Sequence, residues 1–314
     1  VSDGSRDGRC YIAEYNSEPA VFEIEHEWQP TEARGVLSAA LEDDIVAHFY
    51  WRNGIASYLA IIDYSGGTDT IISTSNLGSA INVVGERSMM IKIDDGVLVA
   101  ASEVNSTDIR VQVITYTGDY LNATLVSDTL LKSSEQKAGI SYVGTNGAGN
   151  YIVAVSSTGG LDTVEIDSSN YSTSVVASKN SSLNLEMIKK INARQHIAVS
   201  GDYVKTYRIN GNGAITELGS NNHNLNSLAF SVDVEVFNDQ FALVSYIDNT
   251  TKNLMQGLVK MDSNYDLTLL GYEETWSGGT GLAGTCSINL TEDRVLVGWK
   301  TTTTAMGVRE LKLT

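Results

Sequence analysis

An all-β fold built from one repeated sheet is predicted for this 314-residue sequence, on three observations. A dense apolar run recurs seven times: "CYIAEY" from Cys10, "IVAHFYW" from Ile45, "VLVAAS" from Val97, "YIVAVS" from Tyr151, "HIAVSG" from His196, "FALVSY" from Phe241 and "VLVGW" from Val295. The copies lie about 35 to 55 residues apart, a spacing typical of repeat architectures. Proline is confined to Pro19 and Pro30, while β-branched and aromatic residues are spread evenly, the composition of strands throughout.

Within a copy the elements follow a fixed order. A short alternating run comes first: "VLSAAL", "MMIKI", "ISYV", "EMIKKI", "VDVEVF" or "CSINL". Next is a turn carrying Asp or Asn, at Asp43-Asp44, Asp94-Asp95, Asn192, Asn238-Asp239 or Asp293. Such side chains bond their own backbone and tolerate tight geometry. The dense run is the second strand. A third run, such as "YLAIID", "VQVITY", "KTYRIN" or "GLVKMD", alternates with period two, as a half-buried strand does. After another turn ("YTGDYL", "DSSNYS", "NGNGAI", "DSNYDL") a weaker fourth run closes the unit. Only "NLEMIKKIN" near Leu185 could imitate a helix, and its place in the repeat makes it a first strand.

Four short strands per copy describe a blade, so the expected fold is a β-propeller, most simply of seven four-stranded antiparallel blades. The ends do not balance. The first copy has almost nothing before Cys10 to serve as a first strand, and the last stops at Thr314 after its third. Closure is expected to join first and last copies, because a bare strand edge invites aggregation. A ring of six blades, with Cys10–Glu27 as an extra hairpin, is the alternative. The expected organisation is one domain over residues 1–314, in a longer chain, because the sequence opens without an initiator Met.

Net charge is −17, with a pI near 4.5 and no Lys/Arg cluster, so a nucleic-acid backbone would be repelled. No run of about 18 apolar residues is present, and membrane insertion is not expected. Only Cys10 and Cys286 occur, which excludes a disulfide framework and a four-cysteine zinc site. In a closed ring those two cysteines would lie in neighbouring copies, where a bond could staple the seam; two buried small hydrophobes is the favoured reading.

Candidate binding residues come from loops and exposed aromatics. Trp51 ends a dense run beside Arg52, and Trp276 sits in the Gly-rich "WSGGTGLAG". Either indole could stack on a sugar or fill a protein pocket, although packing in a blade is the favoured role for each. His223 lies in the polar loop "GSNNHNLNSLAFS". The four His residues (His26, His48, His196 and His223) have no metal-ligand spacing. Asp63 to Asp69, "DYSGGTD", lacks the closing Glu of a calcium loop. No metal, cofactor or catalytic residue is expected, since no hydrolase, Walker or dinucleotide motif occurs.

The stretch "SINLTEDRVLVGWKTTTTAMGVRELKL" resembles a degenerate propeller repeat found in tailed-phage structural proteins and in secreted bacterial proteins. The likeness covers most of the chain and is strongest after Phe230; the first copy, with Glu14 and Pro19, departs from it most. The resemblance implies an extracellular, non-catalytic module on a virion or cell surface. It would bind a host glycan or protein, with oligomerisation open. The alternatives are a purely structural capsid or tail decoration, contacting neighbouring structural proteins, and a polysaccharide-active enzyme.

Overall fold

A computed structural model describes residues 10–17, 20–28, 33–52, 56–66, 69–78, 88–104, 108–180, 184–201, 203–224, 229–248, 250–276, 282–291, 294–301 and 306–312. Every regular element among them is a strand. A two-stranded sheet comes first, β1 (Cys10–Ser17) with β2 (Ala20–Trp28). Five four-stranded sheets follow, each in simple sequential order. They comprise β3 (Ala33–Ala40), β4 (Ile45–Arg52), β5 (Ala56–Asp63) and β6 (Thr70–Asn76); then β7 (Met89–Asp94), β8 (Val97–Val104), β9 (Asp108–Tyr116) and β10 (Ala123–Ser133). The third sheet is β11 (Gly139–Thr145), β12 (Tyr151–Ser157), β13 (Gly160–Ile166) and β14 (Thr173–Asn180). The fourth is β15 (Leu185–Lys190), β16 (Gln195–Ser200), β17 (Tyr203–Ile209) and β18 (Ile215–Asn224). The fifth is β19 (Ala229–Val236), β20 (Phe241–Asp248), β21 (Leu254–Met261) and β22 (Leu267–Trp276). A three-stranded sheet, β23 (Leu282–Thr291), β24 (Arg294–Thr301) and β25 (Met306–Lys312), is last.

The repeat read from the sequence is therefore the repeat of the fold. Its four-stranded antiparallel sheets are of the β-propeller type. The "EMIKK" run that could imitate a helix is strand β15. The chain falls into two compact units: Val1–Ala138 with Ser169–Thr173, and Gly139–Ser168 with Ser174–Thr314.

Burial explains why the second strands read as unbroken apolar runs. All eight residues of β8 are buried, and β12 is buried from Ile152 to Ser157. A strand covered on both faces has no solvent side on which to place polar residues. Within the first unit Leu37, Ala39, Ala47, Phe49, Leu59 and Ile61 of one sheet pack on Met90, Leu98, Ala100 and Ile114 of the next. In the second unit Ile152, Ala154 and Leu161 pack on Ile188, Ala198 and Tyr207. The other face of that second sheet, through Ile197 and Val199, meets Val234, Ala242 and Val244. Fourth strands are the exception. In β14 every residue is exposed or half-buried, which is why those runs are weak in the sequence.

The turn chemistry repeats as well. Asn238 Oδ1 accepts from the amides of Gln240 (2.9 Å) and Phe241 (3.1 Å), and Asn192 Oδ1 accepts from Arg194 and Gln195, both at 3.2 Å. At the turns between third and fourth strands a left-handed residue recurs: Tyr120 (φ 61°), Tyr171 (φ 61°), Gly213 (φ 85°) and Tyr265 (φ 64°). In three cases its carbonyl receives a hydroxyl from the preceding sheet of the same unit. Ser73 donates to Tyr120 (2.6 Å), Thr163 to Gly213 (2.7 Å) and Thr206 to Tyr265 (2.8 Å). The tyrosine rings reach back too: Tyr120 Oη donates to the Glu42 carboxylate, and Asn192 Nδ2 donates to Tyr265 Oη at 3.2 Å. First strands add a lysine latch, Lys92 Nζ to the Leu41 carbonyl and Lys190 Nζ to the Val143 carbonyl, each at 3.0 Å.

Thr206 is 1% exposed, so Thr206→Val leaves the Tyr265 carbonyl without its hydroxyl donor while preserving shape. A loss of about 1 kcal/mol is expected, the usual net contribution of one part-buried hydrogen bond. Urea unfolding of the variant measures it; a loss under about 0.5 kcal/mol would mean the sheets are held by apolar packing alone.

Candidate functional site

The face of the β3–β6 sheet away from the Phe49 core carries an unusual set of polar side chains. Period-two alternation places Val46, His48, Tyr50 and Arg52 of β4 on it. Tyr58, Ala60, Ile62 and, just beyond β5, Tyr64 join them. Antiparallel register sets Ser38 directly opposite His48. The Ser38 hydroxyl lies 2.8 Å from His48 Nδ1, and His48 Nε2 lies 2.9 Å from Tyr64 Oη, forming an unbroken relay. Ser38 is solvent-exposed whereas His48 is only 1% exposed. Burial lowers the His48 pKa to about 4, so the ring is neutral and able to accept a proton from the hydroxyl beside it.

Up the same face, Tyr50 and Tyr58 stack with ring centroids 5.4 Å apart and planes 18° from parallel. The Arg52 guanidinium carbon stands 5.1 Å from the Tyr58 ring centre. Burial raises the Tyr50 hydroxyl pKa, against the pull of Arg52. At the turn end of the sheet a separate concavity is lined by Glu42, Asp43, Asp44, Ile45, Asp63 and Ser65. Asp63 Oδ1 there accepts from the Ser65 amide at 2.8 Å, an ordinary side-chain-stabilised turn. Among the described residues, no group of three or more His, Cys, Asp or Glu is placed to hold a metal ion.

The residues singled out from the sequence have different fates. Trp51 is 2% exposed and packs on Val104, so its indole has no face to offer a ligand; the stacking role gives way to the packed one. Its neighbour Arg52, one residue on and therefore on the opposite face, belongs to the polar set above. His223 pairs with Val204 in β18 and Trp276 with Leu254 in β22, but their side chains lie outside the described residues. The same holds for Cys10 of β1, opposite Trp28 of β2, and Cys286 of β23, opposite Gly298 of β24, so the possible disulfide lies outside the described residues. Sequence reasoning missed Ser38, His48 and Tyr64 as a site. They are ten and sixteen residues apart and follow no motif. The available signal was a lone His inside a dense apolar run, where a buried polar ring requires partners.

No family model matches the chain, and no curated protein matches it. Solved structures do. A periplasmic gluconolactonase of Pseudomonas aeruginosa, PpgL, is similar with a TM-score of 0.66 at 10% identity, covering 96% of this chain and 92% of that one. A functionally unknown protein from Desulfotomaculum acetoxidans is similar at TM-score 0.62 and 13% identity, covering 100% and 98%. Sqt1 of Saccharomyces cerevisiae is similar at 0.53 and 13%, covering 88% and 74%. These likenesses establish the fold. They also overturn the expectation of a non-catalytic adhesion or decoration module on a virion or cell surface. That inference rested on the phage-like repeat and on an acidic, Cys-poor, motif-free composition, yet an enzyme has the same architecture over nearly full length. No family match supports a phage or adhesin context.

A second buried histidine shares the electrostatic state of the first. His196 on β16 is fully buried, and neither ring nitrogen has a hydrogen-bond partner in good geometry. Burial and then the Lys190 ammonium lower its pKa to about 4, against the opposing pull of the Arg194 backbone. Unfolded, both histidines titrate near 6.5. Between about pH 4 and 6.5 the unfolded chain therefore binds more protons than the folded one. Stability is full above that window and falls as pH drops through it, by about 3 kcal/mol per histidine. Urea unfolding from pH 7 to 4.5 is expected to show this slope, and the paired His48→Gln/His196→Gln variant a flatter one. Equal slopes would assign the acid sensitivity to other groups.

Proposed function

We propose that this protein is a hydrolase of reactive cyclic esters, with a lactone of a polyhydroxylated acid as the substrate class. The observation that carries the reading is the Ser38–His48–Tyr64 relay, an exposed hydroxyl bonded to a buried neutral imidazole whose other nitrogen is itself held. Nucleophile, base and orienting group within hydrogen-bond reach are the recognisable parts of acyl-transfer chemistry. Similarity of fold to a gluconolactonase supports the choice of lactone.

The step uses one tautomer of His48, with Nδ1 bare toward Ser38 and Nε2–H donating to Tyr64 Oη. Ser38 Oγ attacks the lactone carbonyl and its proton passes to Nδ1. The ring C–O bond breaks, and the same proton goes to the departing alkoxide, leaving an acyl-serine that carries the opened hydroxy acid. Water, deprotonated by Nδ1, then cleaves that ester, and the serine recovers its proton.

The third member of the relay limits what this site can do. A carboxylate in that place stabilises the imidazolium that forms during the reaction; a neutral tyrosine does not, so burial lowers the His48 pKa unopposed. In serine proteases, replacing the triad carboxylate by an amide lowers kcat by about 10⁴. A base this weak suits an ester that is already activated, as a strained lactone is, and not an amide.

A pH-stat assay with glucono-δ-lactone at neutral pH tests the reading. Hydrolysis above the spontaneous rate is expected, and Ser38→Ala and His48→Gln should each lower kcat at least ~10²-fold, the usual contribution of a positioned base. Tyr64→Phe should retain activity with a shifted pH profile. Absence of turnover in the unmodified protein, or full activity in Ser38→Ala, would end the proposal.

A further inference from the structure

Arg52 has a chemical problem that the relay does not explain. Its Nε is buried without a hydrogen-bond partner, and the guanidinium rests instead against the Tyr58 ring. Five other basic side chains among the described residues have a carboxylate partner: Lys92 with Asp95, Arg110 with Asp128, Lys189 with Glu235, Lys205 with Glu217 and Arg294 with Glu310. With 38 Asp and Glu available against 21 Lys and Arg, a half-buried guanidinium without a carboxylate is conspicuous. Burying an unpaired cationic donor costs stability, so the arrangement is one that a ligand would complete.

We propose that Arg52 and the Tyr50–Tyr58 stack form a subsite for a carboxylate joined to a flat or apolar body. The guanidinium offers a planar fork of donors that matches a carboxylate, and the half-buried Tyr58, backed by the buried Tyr50, supplies an aromatic surface beside it. Tyr58 holds the fork from one side, which lowers the entropy lost when an anion docks. The partly desolvated surroundings that disfavour ionisation of Tyr50 also strengthen a charge pair formed there. The subsite lies on the same face of β4 as His48, four residues along, so the two levels are roughly 13 Å apart. The subsite itself rests only on Arg52 and the tyrosines, not on Ser38 acting as a nucleophile.

Isothermal titration of the full chain with benzoate and with its neutral isostere benzamide provides the test. Benzoate is expected to bind at least ~10-fold more tightly than benzamide, to weaken as NaCl is raised from about 20 to 500 mM, and to lose ~10-fold or more in Arg52→Gln. Arg52→Lys should recover only part of the loss, since an ammonium cannot form the planar fork. Ser38→Ala should bind benzoate as the unmodified protein does. Benzoate binding that needs Arg52 in a protein without lactone hydrolysis would support the subsite and sink the hydrolytic reading alone. Equal binding of the two probes, no binding of benzoate, or unchanged binding in Arg52→Gln would overturn the subsite.

Discussion

The structure depends on the burial of second and third strands on both faces. A sheet whose middle strands carry Leu98, Val99, Ala100 and Ala101 with no solvent side cannot stand alone. Within each unit such sheets cover one another, as the Phe49 sheet covers Leu98 and Ala100, and the covering sheet has the same need. That requirement accounts for the repetition of a forty-odd-residue sequence pattern. It also explains the polarity gradient across each sheet, from the apolar second strand to the exposed fourth.

Apolar packing between flat faces is non-directional, so it sets contact without setting register. The recurring polar latches supply the direction. A left-handed turn residue presents its carbonyl to a Ser or Thr hydroxyl of the preceding sheet, and a first-strand lysine caps a carbonyl of the preceding first strand. Each bond contributes on the order of 1 kcal/mol, small beside the burial, but an offset between sheets would leave several buried groups unpaired at once. Tyrosine in the left-handed region carries a conformational cost that glycine avoids, as Gly213 does at the matching turn. At Tyr120 and Tyr265 the ring's hydrogen bond to the preceding sheet offsets that cost.

The polar set on the β3–β6 sheet departs from this plan, and it does so where the repeat would place aliphatic residues. His48 occupies a dense run whose counterparts hold Val and Ala, and its two bonds satisfy a ring that would otherwise be stranded. The contrast with His196 is informative. It is equally buried and equally neutral, but its ring nitrogens make no hydrogen bond in good geometry and it lies beside a lysine. Both cost stability as pH falls, but only His48 is wired to an exposed hydroxyl. Strands hold such groups more rigidly than loops do, which suits a relay whose members must stay within hydrogen-bond reach.

The sequence by itself determined the repeat, the strand order within each copy and the turn positions. Those features are local: period-two alternation, Asp and Asn bonding their own backbone, and apolar runs too short for helices. It also carried the uneven ends, seen among the described residues as a two-stranded first sheet and a three-stranded last one. Which face each residue serves was decided only by tertiary structure. Trp51 and Arg52 are adjacent in sequence and alike as candidates, yet pleating sends one into a core with Val104 and the other to the tyrosines. Ser38, His48 and Tyr64 become one site through cross-strand register, which depends on how a turn closes and not on any spacing a motif could encode. Chemistry arising from register between strands stays invisible until the sheet is formed.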